Sequence, residues 1–248
     1  MIQFDFSGRT ALVTGGTRGI GRAVSEAFLA AGARVIATYA GNREAAERFR
    51  DDTGEAVDRL DLRCFDVADY EAVQSFFGQL DKAYEQLDVL VSNAGIRRDA
   101  VVGMMKPDDW NRVIQTNLNG TYNMCKFAVH KMMQARYGRI VIVTSPSGKF
   151  GFEGQANYAA SKAGQVAFAR SLCKGVARRG ITVNCVSPGY VATDLIADLP
   201  EKTAKEYKRS VPVRRFGEPA EVADAILFLA SQQSAYITGA TLEITGGL

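Results

Sequence analysis

"TALVTGGTRGIGRA", residues 10–23, passes from a β-branched apolar run through four glycines into a helical pattern. The run at 10–14 reads as a strand, the glycines as a turn, and 19–31 as the first helix. Glycines let the backbone approach a pyrophosphate closely, and a helix N-terminus supplies free N–H groups and a positive dipole end. The spacing Gly15-x3-Gly19-x-Gly21 departs from the G-x-G-x-x-G form, so the strand–turn–helix context carries the reading. A flexible turn with no ligand is the alternative, and that context makes it the poorer one. No Gly-Lys-Ser/Thr follows, which excludes a Walker loop.

The same alternation continues along the chain. Strand-like runs follow at 33–39, 87–92, 138–145, 181–187 and 241–245, with a more polar one, "RLDLRCFDV", at 59–67. Between them, segments 42–53, 69–84, 108–136, 155–179 and 218–231 are rich in Ala, Leu, Glu and Lys at helical spacing. Such alternation predicts βαβ units and a single-domain, doubly wound α/β fold of Rossmann type: about seven parallel strands, with helices on both faces. The 248 residues show no linker, low-complexity segment or repeat, so one domain is expected, with a cofactor half over 1–137 and a catalytic and substrate half over 138–248.

Composition narrows the function classes. A hydrophobic share of 47% and a net charge of +3 describe an ordinary globular chain, without the basic excess of a nucleic-acid or membrane-surface binder. No apolar stretch approaches a membrane span, and the start, MIQFDFSGRT, does not read as a signal peptide, so a cytoplasmic protein is expected. Cys64, Cys125, Cys173 and Cys185 show neither metal nor disulfide spacing and are expected to be buried thiols. His130, the single histidine, is expected to be structural, which leaves a His-based metal site and a Ser-His-Asp triad without support.

The second strand ends Thr38-Tyr39-Ala40-Gly41-Asn42-Arg43, where an NAD site places an acid on the ribose 2′-hydroxyl. No acid occurs there before Glu44, whereas Arg18 sits in the glycine turn and Arg43 lies just after the strand, either of which could instead be simply solvated. A cation with hydroxyls suits a 2′-phosphate, and NADPH is expected. In "QANYAASKAG" (155–164), Tyr158 and Lys162 stand four apart among small residues, on one face of a helix. An ammonium beside a phenol favours the phenolate, so Lys162 is expected to lower the Tyr158 pKa and make the tyrosine a usable proton donor and acceptor. Alone, such a pair is more often a surface contact.

With these residues in order, the chain resembles the short-chain dehydrogenase/reductase family, and within it the 3-oxoacyl-[acyl-carrier-protein] reductases. The resemblance runs from Gly8 to Gly247 and includes the TG-x3-G-x-G of Thr14 to Gly21, Asp66-Val67, Asn93-Ala94-Gly95, Asn117, Ser145, Tyr158-x3-Lys162 and Pro188-Gly189. It implies Tyr158 as general acid, Ser145 holding the substrate carbonyl, Lys162 on the nicotinamide ribose, and Asn117 holding a water that relays protons to Lys162. It further implies cofactor contacts at Gly15, Thr17, Arg18, Gly19, Ile20, Gly21, Thr38, Asp66, Val67, Asn93, Ala94, Gly95, Pro188, Gly189, Val191 and Thr193. A homotetramer built on helices 108–136 and 155–179 is implied as well, as is docking of an acidic acyl carrier protein at Arg136 and Arg179, two positions that could equally be solvated surface cations.

Two departures stand out. Pro146-Ser147 follows Ser145 where the reductases often carry another small or β-branched pair, and Phe150 and Phe152 add bulk before Tyr158. The phenylalanines either pack the loop or wall a substrate. The leading reading is NADPH-dependent reduction of a 3-oxoacyl thioester in fatty-acid or polyketide-like elongation. A reductase of CoA thioesters, sugars or small alcohols stands beside it, and so does a non-catalytic NADP-binding regulator, against which the complete Ser/Tyr/Lys/Asn set counts.

Overall fold

A computed structural model describes residues 4–193 and 200–248. The strands are β1 (Thr10–Val13), β2 (Arg34–Tyr39), β3 (Leu60–Cys64), β4 (Val89–Ser92), β5 (Gly138–Val143), β6 (Ile181–Pro188) and β7 (Thr241–Ile244). The described helices are α1 (Gly19–Ala30), α2 (Arg43–Asp52), α3 (Tyr70–Ala83), α4 (Pro107–Val113), α5 (Gly120–Ala135), α6 (Ser147–Phe150), α7 (Ala156–Val176), α8 (Glu201–Ser210) and α9 (Pro219–Ala230). All seven strands pair in parallel, in the order β3-β2-β1-β4-β5-β6-β7.

Alternation along each strand explains the two layers. Ala11, Val13, Val35, Ala37, Val141 and Val143 pack with α1, α2 and α9 on one face, around Phe28, Phe49 and Ile226. Leu12, Ile36, Ile140 and Ile142 point the other way, onto α3, α5 and α7. A sheet buried on both faces favours near-continuous apolar runs, and the central strands are mostly apolar. The edge strand β3 is half-buried, which accounts for its polar sequence. The chain order reverses between β1 and β4, opening a crevice beyond the C-terminal ends of the strands, where ligands of such sheets bind.

The predicted helix 108–136 is interrupted. Between α4 and α5, Ile114–Asn119 is wound as a π-helix. The wider turn carries Asn117 into the interior, fully buried. The α6 turn escaped the sequence reading because four residues show no periodicity, and α8 because it buries no side chain. Cys125, Cys173 and Cys185 are buried as expected, but Cys64, at the end of the edge strand, is exposed. His130 is exposed on α5.

Candidate active site

The glycine turn is built so tightly that side chains cannot enter it. A Cβ on Gly21 would lie 2.0 Å from the Gly15 carbonyl oxygen, while Gly15 and Gly19 adopt left-handed φ of +61° and +52°. The turn is fastened from three sides. The Gly16 N–H donates to the Thr38 carbonyl at 3.0 Å. Asn93 Nδ2 donates to the carbonyls of Thr14 (2.9 Å) and Gly15 (3.2 Å), and the N–H groups of Asn93 and Ala94 share the Thr14 hydroxyl. Ser25 Oγ ties the carbonyls of Gly16 and Gly21 from inside the helix. Asn93 is therefore a clamp between β1 and β4.

Helix α1 begins with Arg18 extended at its N-cap, no side-chain cap and no acid in its first turn. Its first N–H groups are left for an outside anion. This fits the diphosphate of a dinucleotide, as does a cradle that any Cβ would fill. Thr17 is buried, Ile20 half-buried and Arg18 exposed at the mouth. Thr38 is buried at the end of β2, and Val67 lies under the loop after β3, where exposed Asp66 caps the Ala68 N–H. Across the crevice, Gly189 anchors to the Ile244 carbonyl, Val191 bridges to Gly217, and a Cβ on Gly19 would lie 3.5 Å from Thr193 Cγ2. Pro188, the last residue of β6, is buried. The expected cofactor positions thus lie at or just after the C-terminal ends of β1, β2, β3, β4 and β6.

Ser145 follows β5, and Tyr158 and Lys162 stand on α7 beside it. Lys162 is almost wholly buried, with its Nζ donating to the Val143 carbonyl at 2.8 Å and lying 5.5 Å from the Tyr158 ring centroid. Burial lowers the Lys162 pKa to about 8, with a smaller opposing effect from Cys185. The half-buried Tyr158 is likewise raised by burial, against opposing effects of Ser145 and then Arg97. The expected depression of the tyrosine by the lysine is therefore corrected: Lys162 Nζ donates to the Val143 carbonyl, and burial governs both groups. The phenol is held in its protonated, donating form. Gly148 packs so closely on α7 that its Cβ would lie 2.7 Å from the Ala163 N.

Asn117 sits below. Its Oδ1 accepts the Ile96 N–H at 2.8 Å, and its Nδ2 donates to the Ile96 carbonyl (3.0 Å) and the Ser161 hydroxyl (3.1 Å). The Asn117 carbonyl accepts from Thr121 and from Gln165, each at 2.8 Å. A water held by that carbonyl would have to displace Gln165, whose own buried Oε1 has no partner. A Cβ on Gly95 would lie 3.2 Å from Asn117 Oδ1 and 3.7 Å from Lys162 Nζ, so the Asn93–Gly95 loop roofs this cluster.

Sequence reading missed Ser25, Ser147, Gln155, Asn157 and Gln165, all of them polar and buried or half-buried at the site. A buried glutamine or asparagine inside an otherwise ordinary helix was the available signal. Phe150 and Phe152 are exposed, 56% and 42%, rather than packed into their loop. Facing loop 96–101 is pinned to theirs through Ala100 N–H to Gly154 O and Asn157 Nδ2 to Arg98 O.

Arg136 and Arg179 are exposed neighbours: Arg136 caps α5 with a left-handed φ of +52°, and a Cβ on Gly180 would lie 2.4 Å from the Arg136 carbonyl. They precede β5 and β6, at the opposite end of the sheet from Ser145.

A parallel, doubly wound sheet with Ser145, Tyr158, Lys162 and Asn117 gathered beside a glycine turn defines a class, and the chain belongs to the short-chain dehydrogenase/reductase family of nicotinamide-dependent oxidoreductases. A family model described as enoyl-(acyl carrier protein) reductase matches residues 15–248. An acetoacetyl-CoA reductase of Shinella zoogloeoides is 45% identical over 240 residues, covering 96% of this chain and 98% of that protein. The 3-oxoacyl-[acyl-carrier-protein] reductase FabG of Escherichia coli (strain K12) is 42% identical over 244 residues, covering 98% of each. Among the described residues, no helix is long and apolar enough to cross a membrane.

Proposed function

We propose that the chain reduces a 3-oxoacyl thioester, carried on acyl carrier protein, to the 3-hydroxyacyl thioester with NADPH, as a cytoplasmic step of fatty-acid or polyketide-like elongation. The observation that carries the reading is the convergence of a protonated Tyr158, Ser145 and Lys162 at the dinucleotide crevice, in a chain whose relatives are named for acyl-carrier and CoA forms of one substrate class. Bound in the crevice, the cofactor supplies a hydride to the carbonyl carbon. The chain's part is then to hold and protonate the oxygen. The Ser145 hydroxyl donates to the carbonyl and fixes its orientation, and the Tyr158 phenol delivers its proton as negative charge develops there. Lys162 holds the ribose and stands beneath the phenol. Arg18, at the uncapped start of α1, meets the 2′-phosphate. Phe150 and Phe152, with Val101, Val102 and Met104 exposed on the facing loop, offer walls to an acyl chain.

Carrier docking at Arg136 and Arg179 belongs to this reading with one geometric condition. Strand β5, six residues long, holds the pair roughly 20 Å from the site in the same chain. A carrier held there serves the site of another copy in a homotetramer.

NADPH oxidation should be followed with a 3-oxoacyl-ACP, the matching 3-oxoacyl-CoA and a free ketone. Turnover of the carrier thioester well above the free ketone is expected. The identity to an acetoacetyl-CoA reductase favours a second reading, a CoA thioester, which a higher kcat/KM on the CoA substrate would establish. Preference for a free ketone or sugar would overturn both.

A further inference from the structure

Ser147, two residues after Ser145, is 4% exposed. Its backbone N–H donates to Ser145 Oγ at 3.2 Å, and Ser145 Oγ donates to Ser147 Oγ at 3.3 Å. Ser147 Oγ in turn donates to Gln155 Oε1 at 2.9 Å, and Gln155 Nε2 donates to Asp99 Oδ2 at 3.4 Å. Asp99 is held by Arg97, from Nε at 3.2 Å and Nη2 at 2.7 Å. A continuous hydrogen-bonded chain thus runs from an ion pair at the mouth of the site to the serine beside Tyr158.

The direction of every link follows from its outer end. An ionised carboxylate only accepts, so Gln155 must turn its NH₂ toward Asp99 and its carbonyl inward. That carbonyl takes the Ser147 proton, which leaves Ser147 Oγ able only to accept from Ser145. We propose that Ser147, oriented by Gln155 and Asp99, is a positioning residue: it fixes the rotamer of the Ser145 hydroxyl before substrate arrives. The inference rests on the reading of Ser145 as the group that holds the substrate carbonyl. A carbonyl oxygen entering the site then competes for a proton on an oxygen already in place, instead of ordering a free rotor during the reaction. The oxygen is held in place by the Ser147 N–H and Oγ, and only its proton turns from Ser147 to the incoming carbonyl as charge develops.

The test is a set of kinetic cycles. Ser147→Ala and Gln155→Leu are measured singly and together, in the wild-type and Ser145→Ala backgrounds, for kcat, KM and cofactor dissociation constant. Each single variant is expected to lower kcat by about fivefold to tenfold, the size of one net hydrogen bond, with cofactor affinity unchanged. The double variant should be no slower than the worse single, Ser147→Thr should keep most of the rate, and in the Ser145→Ala background both changes should be silent. Losses that persist without Ser145, add across the two sites, or fall on cofactor affinity would show a structural role and overturn the inference, as would unchanged kcat. A Ser145→Ala variant with normal turnover would instead bring down the assignment of that serine, and this inference with it.

Discussion

The two ends of the parallel sheet both bury charge, but they use it differently. At the N-terminal ends of the strands, Asp88 accepts from Arg9 (2.7 Å), from the Thr10 N–H (2.9 Å) and from Gln86 (2.7 Å). Nearby Arg139 is buried in β5, bonds the carbonyls of Gly138, Gly180 and Ser231, and stacks on Tyr137. Hydrogen-bonding capacity there is spent on fixed partners. At the C-terminal ends, Lys162 has three donors and one hydrogen-bonded carbonyl, and the start of α1 has no cap. The difference marks where function resides: capacity left unspent by the fold is what a ligand can use, and the fold tolerates the cost of leaving it so.

The sharpest way to break this contrast is Tyr158→Phe. Removing the proton donor should lower kcat by about 10²- to 10⁴-fold while leaving cofactor affinity and thermal midpoint nearly unchanged. Near-normal turnover would remove Tyr158 as the acid. The counterpart at the other end is Asp88→Ala, which leaves Arg9, the Thr10 N–H and Gln86 without their acceptor. A stability loss of about 3 kcal/mol is expected in denaturant unfolding, with kcat per folded molecule retained. A kinetic loss without a stability loss would erase the distinction between the ends.

Lys162 offers a test by pH. Unfolded it titrates near its ordinary 10.5, and folded at about 8, because burial disfavours the charge. Between those values the unfolded chain holds a proton that the folded chain has released, so raising pH through this window favours folding. The cofactor-free protein should therefore gain, on the order of 3 kcal/mol at most, between pH 8 and 10.5, and the gain should vanish in Lys162→Met. The same slope in both proteins would show that Lys162 is not held as a strained charge.

The fold was legible because most central strand positions on both faces are apolar, and because the glycine turn sits between a strand and a helix. The residues gathered beside the glycine turn, and proposed for catalysis, were legible in order as Asn117, Ser145 and Tyr158-x3-Lys162. What the residues could not disclose is orientation. Tyr158 and Lys162 at helical spacing imply a mutual electrostatic effect, yet the Val143 carbonyl, nineteen positions from Lys162, captures the ammonium. Likewise the π-helical turn at Ile114–Asn119 leaves no signature in composition, and it decides that the Asn117 carbonyl faces Gln165. Both are long-range facts of packing.

A smaller effect is expected from Arg18→Ala at the functional end. The guanidinium is exposed at the α1 N-cap, so its contact with a 2′-phosphate should be worth about tenfold to a hundredfold in NADPH affinity. NADH affinity should stay level in the same titration. Equal loss for both cofactors would assign Arg18 to the turn itself.

The smallest effect concerns the surface cations at the structural end. Arg136→Glu with Arg179→Glu changes two exposed side chains that carry no part of the core, so the fold and the turnover of a small thioester mimic should be preserved. If an acidic carrier docks there, KM for the carrier substrate should rise several-fold at low salt, and the rise should shrink as salt is added, because exposed charges act through screened association. The pair lies at the other end of β5 from Ser145, so the effect should also require assembly: a variant held as a monomer should lose the distinction between wild-type and charge-reversed arginines. A carrier KM unchanged by the reversal in the assembled protein would confine function to the C-terminal end of the sheet. Equal losses on carrier and mimic would mean that the charge reversal disturbs the fold instead.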